Sequence, residues 1–267
     1  MSKLTPKEYS HFLSLIIPVY KQEKTIVHNL KAIKDALDKI RYDYEIITVI
    51  DGKVDKSFSV INGARLKKVK CLYYKENRGK AYAIRLGMHE AVGDYVMFMD
   101  SGNEIDPNGI SMLLEHMEWY DADIIVGSKR HPASQVNYAL MRKILSNGYY
   151  WFVKFLFGVS VHDTQAGIKI FRKRVLSKLL PRLVEEKFAG DLETIVVADS
   201  LGFKRIFEAP IKLDYNLGSF TSAATVKAIS QILFDTLAIF YRLKIVKYYE
   251  RNKQVLSKPT DLIIKRY

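Results

Sequence analysis

The sequence predicts an α/β protein: a mostly parallel sheet with helices on both faces. Three observations carry that prediction. Apolar runs of strand length recur along the first half, residues at helical spacing separate them, and polar residues collect just after each run. Strands this apolar, joined by helical crossovers, are expected to be covered on both sides.

The elements follow in order. LSLIIPV (13–19) is a continuous apolar run of strand length, and Ile26, Leu30, Ile33, Leu37 and Ile40 then recur with the period of a helix. YEIITVID (44–51) and VKCLYY (69–74) read as the second and third strands. A helix is expected over 80–91, a fourth strand over 94–100 (DYVMFMD), a helix over 108–118 and a fifth strand over 122–128 (ADIIVGS). After residue 130 the pattern changes to amphipathic, aromatic-rich helices around a short mixed segment, with one helix over 138–157 and one or two over 222–251. The expected division is therefore a large domain over 1–220 and an amphipathic helical tail over 221–267.

Composition narrows the function classes. The chain has 267 residues, 48% hydrophobic and 27% charged, with 14 Gly and 7 Pro, which excludes a disordered or low-complexity protein. Its one cysteine, Cys71, excludes an internal disulfide framework and a cysteine-based zinc site, and its apolar surroundings predict a buried thiol. None of the six histidines has metal-ligand spacing. The formal charge of +13 predicts attraction to phosphates or an anionic membrane surface. The longest apolar runs, 148–161 and 229–241, are interrupted by polar residues and fall short of the roughly 18 residues that a spanning helix needs. The tail's apolar positions, rimmed by Arg242, Lys244, Lys247 and Arg251, suit an interfacial helix, a core-facing helix or a dimer interface. With no apolar signal core at its start, the protein is expected in the cytoplasm, peripheral on the membrane's cytoplasmic face.

Open α/β sheets bind ligands at the carboxyl ends of their strands. Pro18-Val19-Tyr20, Asp51-Gly52, Asn77-Arg78-Gly79-Lys80 and Asp100 to Glu104 all follow strands and are expected to crowd one cleft. No GxGxxG and no GxxxxGK[ST] occurs, which argues against a dinucleotide oxidoreductase or a P-loop enzyme. Nucleic-acid binding would account for the charge and for none of these cleft residues.

The order of motifs resembles the family 2 glycosyltransferases with a GT-A (Rossmann-like) fold, and among them the polyprenyl-phosphate or dolichyl-phosphate sugar transferases. The resemblance runs over about residues 13–220: LSLIIPVYKQEKTI, EIITVIDGKVDKS, NRGKAYAIRLGM, GDYVMFMDSGNEIDP, GSKR, RKILS, DTQAGIKIFRKRVL, GDLE and FEAPIKL. DTQAGIKIF points to the dolichyl-phosphate glucosyltransferase type.

That resemblance implies a nucleotide-sugar donor. It places Pro18, Tyr20, Gln22 and Asp51 at the nucleoside, Lys80 at the donor's phosphates, and Asp163 and Gln165 at the sugar. Asp100 opens the family's Asp-x-Asp position and implies Mg²⁺ or Mn²⁺, although this chain reads Asp100-Ser101-Gly102-Asn103-Glu104 and lacks the second aspartate. Either Glu104, Asn103 or water helps Asp100 hold the ion, or Lys and Arg do more of the neutralising. Asp106, before Pro107, is expected to cap a helix. Lys129, Arg130, Arg142 and Ser146 map to the acceptor phosphate, and Arg142 and Ser146, four apart, share a helix face. Asp191 takes the general-base position, with Glu193 as its support or as a structural residue.

The implied reaction is an inverting transfer of a hexose, with glucose from UDP-glucose favoured over mannose from GDP-mannose, to a polyprenyl or dolichyl phosphate at a membrane surface. Transfer to a glycan or protein hydroxyl, and a catalytically silent nucleotide-sugar-binding relative, are the alternatives.

Overall fold

The computed structural model describes residues 11–102, 104–136, 140–213 and 226–267, with the helix starts 140–144 and 226–228 described by backbone alone. The first half alternates as expected: β1 (Phe12–Val19), α1 (Ile26–Leu37), β2 (Asp43–Asp51), α2 (Ser57–Ala64), β3 (Val69–Tyr74), α3 (Lys80–Glu90) and β4 (Tyr95–Met99). Of these elements, α2 is a helix that the sequence does not predict. β1 lies between β2 and β4, parallel to both, and β3 runs parallel along the far side of β2.

The second half departs from the expected simple continuation. It runs α4 (Gly109–Trp119), β5 (Ile124–Ser128), α5 (Leu140–Phe157), β6 (Ile168–Arg172), α6 (Lys173–Leu179), α7 (Gly190–Ser200), β7 (Ile206–Pro210), α8 (Val226–Phe240), a π-turn over Tyr241–Ile245, α9 (Tyr248–Arg251) and β8 (Ile263–Arg266). The eight strands form one sheet in the order β7-β5-β6-β4-β1-β2-β3-β8. β5 does not pair with β4, because β6 inserts between them antiparallel to both. β6 can take that central place because Ile168 and Ile170 enter one core and Phe171 the other, as an interior strand requires.

Each face of the sheet has its own core. On one, Leu13, Leu15 and Ile17 of β1 meet Ile26, Leu30, Ile33 and Leu37 of α1 together with Leu113, Leu114 and Met117 of α4. On the other, Ile16, Val49, Leu72 and Phe98 meet Tyr82 and Leu86 of α3 and Leu192, Ile195 and Val196 of α7. Cys71 is a fully buried thiol, and burial pushes its pKa up to about 11.

The expected helical tail takes a different course after Phe240. Residues 241–258 turn back over the core: Arg182 Nε donates to the Tyr249 carbonyl at 2.8 Å, and Tyr82 Oη donates to the Ser257 carbonyl at 2.7 Å. β8 then adds to the sheet edge antiparallel to β3, with Leu72 opposite Ile264. The outer strand ends as ladder, not helix, because the alternating Tyr73 and Cys71 edge of β3 offers unpaired backbone groups that an extended segment satisfies.

Candidate active site

The carboxyl ends of β2 and β4 and the start of α3 meet as the sequence predicts. Asp51, at the end of β2, is buried, and both of its oxygens are engaged. Oδ1 accepts from Tyr74 Oη (2.8 Å) and the Arg78 amide (2.8 Å), while Oδ2 accepts from Asn77 Nδ2 (3.0 Å) and the Gly79 amide (2.9 Å). A carboxylate only accepts hydrogen bonds, so Asp51 is well suited to gather these four donors. Asp51, expected at the nucleoside, here shapes the 77–79 loop from which Lys80 projects.

Gly79 makes that loop possible. Its φ of +106° is glycine territory, and a Cβ there would lie 2.3 Å from the Glu186 backbone oxygen. Gly79→Ala therefore combines a strained backbone with a backbone clash and is expected to cost about 2–4 kcal/mol, read by urea unfolding. A change below 0.5 kcal/mol would contradict this account of the loop.

Lys80, the first residue of α3, reaches two carboxylates. Its Nζ lies 2.8 Å from Asp100 Oδ1 and 3.2 Å from Asp191 Oδ2. Asp191 in turn meets the ammonium of Lys169 at 2.9 Å, and Lys169 also donates to the Ala166 carbonyl at 2.7 Å. Negative and positive groups thus alternate: Asp100, Lys80, Asp191, Lys169. Burial lowers the pKa of Lys80, but the two aspartates outweigh it and raise the group above the ordinary lysine range. Burial likewise raises Asp191, and its two lysines outweigh that, holding the carboxyl below its ordinary value. For Lys169, which has no exposed surface, burial wins and lowers the pKa against the pull of Asp191.

The segment 163–169 links Lys129, α5, Asp100 and Asp191. Asp163 Oδ2 accepts from the Lys129 amide at 3.0 Å, with the Lys129 ammonium 4.0 Å away. Gln165 Nε2 donates to Tyr149 Oη on α5 at 3.2 Å. Gly167 lies against Asp100: its carbonyl accepts from the Asp100 amide at 2.9 Å, and a Cβ on Gly167 would sit 2.3 Å from Asp100 Oδ2. Lys169 completes the series on Asp191. Asp163 and Gln165, expected at the sugar, here bind the Lys129 backbone and α5.

The expected acceptor residues are brought together in part. Arg130 donates to Ser146 Oγ (2.8 Å) and Asn147 Oδ1 (2.7 Å), and its guanidinium lies 5.2 Å from the centre of the Tyr150 ring. Ser146 thus meets Arg130. The side chain of Arg142, expected beside it, lies outside the described residues, as does Asn103.

Other expected residues have local partners. Tyr20 is exposed at the end of β1, below the Lys21 ammonium, and Pro18 pairs with Val49 inside the sheet. The Gln22 side-chain oxygen accepts from Thr25 Oγ1 at 2.6 Å. Asp106 accepts from the Asn108 amide at 2.9 Å in the turn that enters α4, close to its expected capping role.

The sequence does not single out Lys169, and it marks Glu193 and Arg242 without the partners they have in the structure. Lys169 left one signal, a lone lysine inside the apolar strand IKIF. Glu193 is structural and fully buried: it accepts from the amides of Val184 (3.0 Å) and Glu185 (3.0 Å) and from Tyr249 Oη (2.8 Å). Arg242 pairs with Glu185 at 2.6 Å. The returning segment therefore backs the 183–187 loop, whose Glu186 carbonyl accepts from the Tyr82 amide of α3 at 3.1 Å.

The comparisons with known proteins agree with this layout. The model of the family described as Glycosyl transferase family 2 matches residues 14–180, more than half of the chain. The chain belongs to glycosyl transferase family 2. Among family 2 relatives, a dolichyl-phosphate beta-glucosyltransferase of Drosophila melanogaster is 33% identical over 206 residues, covering 71% of this chain and 63% of the relative. One from Homo sapiens is 26% identical over 215 residues, covering 74% of this chain and 64% of the relative. The chain thus spans less than two thirds of the length of these relatives. The crystal structure of Mycobacterium tuberculosis glucosyl-3-phosphoglycerate synthase with Mn²⁺, UDP and phosphoglyceric acid superposes with a TM-score of 0.63 at 15% identity, covering 86% of this chain and 78% of that one. Another structure of the same enzyme gives 0.65 at 15% identity, covering 86% and 80%. These likenesses show the GT-A-like fold.

Among the described residues of this family 2 chain, no group of three His, Cys, Asp or Glu side chains could cage a metal ion. Asp100 nevertheless fits one ligand position: its side chain is 43% exposed, and the Lys80 ammonium competes for Oδ1. Hard divalent ions commonly take one or two carboxylates and complete their shell with substrate phosphate oxygens and water. The donor set therefore suits an ion that arrives with a diphosphate.

Proposed function

We propose that this chain transfers a hexose, glucose from UDP-glucose in the favoured case, to a polyprenyl phosphate of the dolichyl type at a membrane surface. The acceptor phosphate oxygen attacks the anomeric carbon as the bond from that carbon to the diphosphate oxygen breaks. The nucleoside diphosphate leaves with the electron pair and configuration inverts. Relatives named dolichyl-phosphate beta-glucosyltransferase and a fold neighbour solved with UDP-glucose support the substrate classes.

The observation that carries the choice of acceptor is the clamp on Asp191. Asp191 is gripped by two ammoniums and held below its ordinary pKa, and it keeps the buried Lys169 when Lys80 turns to the donor. It is therefore a poor proton acceptor, which disfavours a hydroxyl acceptor that must be deprotonated. A phosphate monoester, with a second pKa of roughly 6, reaches neutral pH largely as the dianion and needs no base. In this reading the chain's own residues bind and orient: Lys80 turns to the donor's phosphates, and Arg130 with Ser146 grips the acceptor phosphate. Asp100 would hold a Mg²⁺ or Mn²⁺ ion, with Glu104 as the second ligand expected from the sequence, and the ion when bound would supply neutralising charge for the leaving diphosphate.

The outer faces of α5 and α8 support a membrane-surface location. These helices are joined by the Tyr149–Thr236 hydrogen bond (3.0 Å) and an edge contact between Phe157 and Phe240. Outward they expose Trp151, Phe155 (87%), Phe234 (70%) and Leu237. Large exposed apolar side chains beside Lys154 suit the boundary of a lipid layer. Among the described residues no helix is long and apolar enough to cross a membrane.

The test is transfer of radiolabel from UDP-glucose, and separately GDP-mannose, into organic-extractable polyprenyl phosphate. Label in the organic phase from UDP-glucose is expected. The kcat/KM for the lipid is expected to fall about tenfold per pH unit below about pH 6, as the acceptor becomes protonated. Label found only on soluble hydroxyl acceptors, with a flat profile through that range, would replace the lipid-phosphate reading with the hydroxyl one. UDP-glucose that binds without turnover on either acceptor class would mark a silent relative.

A further inference from the structure

We infer that Lys80 is a built-in placeholder for the divalent ion: its ammonium occupies Asp100 in the donor-free protein and must leave that carboxylate before an ion can bind. The inference rests on the nucleotide-sugar reading and concerns the order in which that site fills.

The four-member charge chain is asymmetric in a way that suits such an exchange. Asp191 has two cations, Lys80 at 3.2 Å and the fully buried Lys169 at 2.9 Å. If Lys80 moves, Asp191 keeps Lys169. Asp100 is the other end: its side chain is 43% exposed, and Lys80, at 2.8 Å, is the cation paired with it. The Asp100–Lys80 pair is therefore the joint where the chain can open toward solvent, whereas the Asp191–Lys169 pair, with side chains 6% and 0% exposed, is closed.

An ammonium at this distance opposes a divalent ion twice. It occupies a carboxylate oxygen that the ion needs, and it repels the ion through a partly dry medium. A donor diphosphate removes both obstacles, because it offers Lys80 a new anionic partner and offers the ion additional oxygens. Ion alone should bind weakly, and ion with diphosphate should bind well. Lys80 then changes from partner of Asp100 to partner of the donor without leaving a buried charge unpaired.

The prediction separates two effects of one side chain with opposite signs. Lys80→Met is expected to bind Mn²⁺ about five- to tenfold more tightly than the unmodified protein in the absence of nucleotide, and UDP more weakly by a similar factor. Lys80→Arg keeps the cation and should leave the nucleotide-free Mn²⁺ affinity within about twofold of the original. Asp100→Asn should remove the Mn²⁺ binding that Lys80→Met gains. The readout is free Mn²⁺ by electron paramagnetic resonance on nucleotide-free protein, with UDP binding followed by calorimetry and folding checked by circular dichroism. Should Lys80→Met not fold, Lys80→Gln serves the same comparison. Equal or weaker Mn²⁺ binding by the folded neutral variant overturns the placeholder role, as does a gain that survives Asp100→Asn. Failure of UDP-glucose to bind the unmodified protein, with or without Mn²⁺, would instead overturn the functional reading and leave the nucleotide-free ion comparison standing.

Discussion

Replacing Lys169 by methionine is expected to destabilise the protein by about 3–5 kcal/mol, the cost of breaking a buried ion pair from one side. Lys169 has no exposed surface, and its ammonium holds both the Asp191 carboxylate and the Ala166 carbonyl. Methionine fills most of the volume but leaves that carbonyl without its donor and Asp191 with Lys80 alone. Because Asp191 would lose one of the two charges that keep its pKa low, its pKa should rise as well. Adding Asp191→Asn removes the unmatched charge, and the double variant should recover part of the loss, with a coupling of about 2 kcal/mol between the two sites. Urea unfolding of the two single variants and the double variant completes the cycle. Stability of Lys169→Met within 1 kcal/mol of the original, or strict additivity, would show that the pair does not hold this part of the fold.

Stability should also fall as pH rises through neutrality, with Glu193 as the source. Burial pushes its carboxyl up to about 7, more than the amides of Val184 and Glu185 and the Tyr249 hydroxyl can offset, and Glu185 beside it adds to the rise. In the unfolded chain the same group releases its proton near the ordinary glutamate value. Between those two values the folded state carries the extra proton, so each step up in pH favours unfolding, and the contribution levels off above about 7. A shift of this size corresponds to about 3 kcal/mol. Glu193→Gln cannot ionise, so its stability should decline less between pH 5 and pH 8 than that of the unmodified protein. Other titrating groups act in both proteins and cancel in the comparison. Parallel pH profiles for the two would remove Glu193 from the account.

The legible parts of this protein are those whose signals are local. Strands β1 to β4 are predominantly apolar runs of strand length, α1 shows its buried face at regular spacing, and the polar residues after β2 and β4 announce the cleft. Asp100, Lys80 and Asp191, inferred from separate motifs, meet within one charge chain. What stayed hidden depends on partners far along the sequence. α7 is buried on nearly every side, so GDLETIVVADS has no polar stripe to mark it as a helix. Lys169 becomes meaningful only opposite Asp191, and Arg242 and Tyr249 only where the returning segment reaches Glu185 and Glu193. β8, the four-residue IIKR, is exposed throughout and too short to show a strand pattern until β3 is beside it. Nor does spacing disclose that Asp51 is already committed to four donors of its own loop.

The pairing of β8 with β3 sets a schedule for biosynthesis. Val69–Tyr74 and Ile263–Arg266 are joined across about 190 residues, so the outer edge of β3 has no strand partner while all of that chain is being made. At ribosomal speeds of about 5–20 residues per second, the wait is about 10–40 seconds. Throughout that interval an apolar edge, VKCLYY, is open to pairing with another nascent chain. The nascent chain is thus open to aggregation along this edge even when the seven strands before β8 already exist, until Ile263–Arg266 has been made.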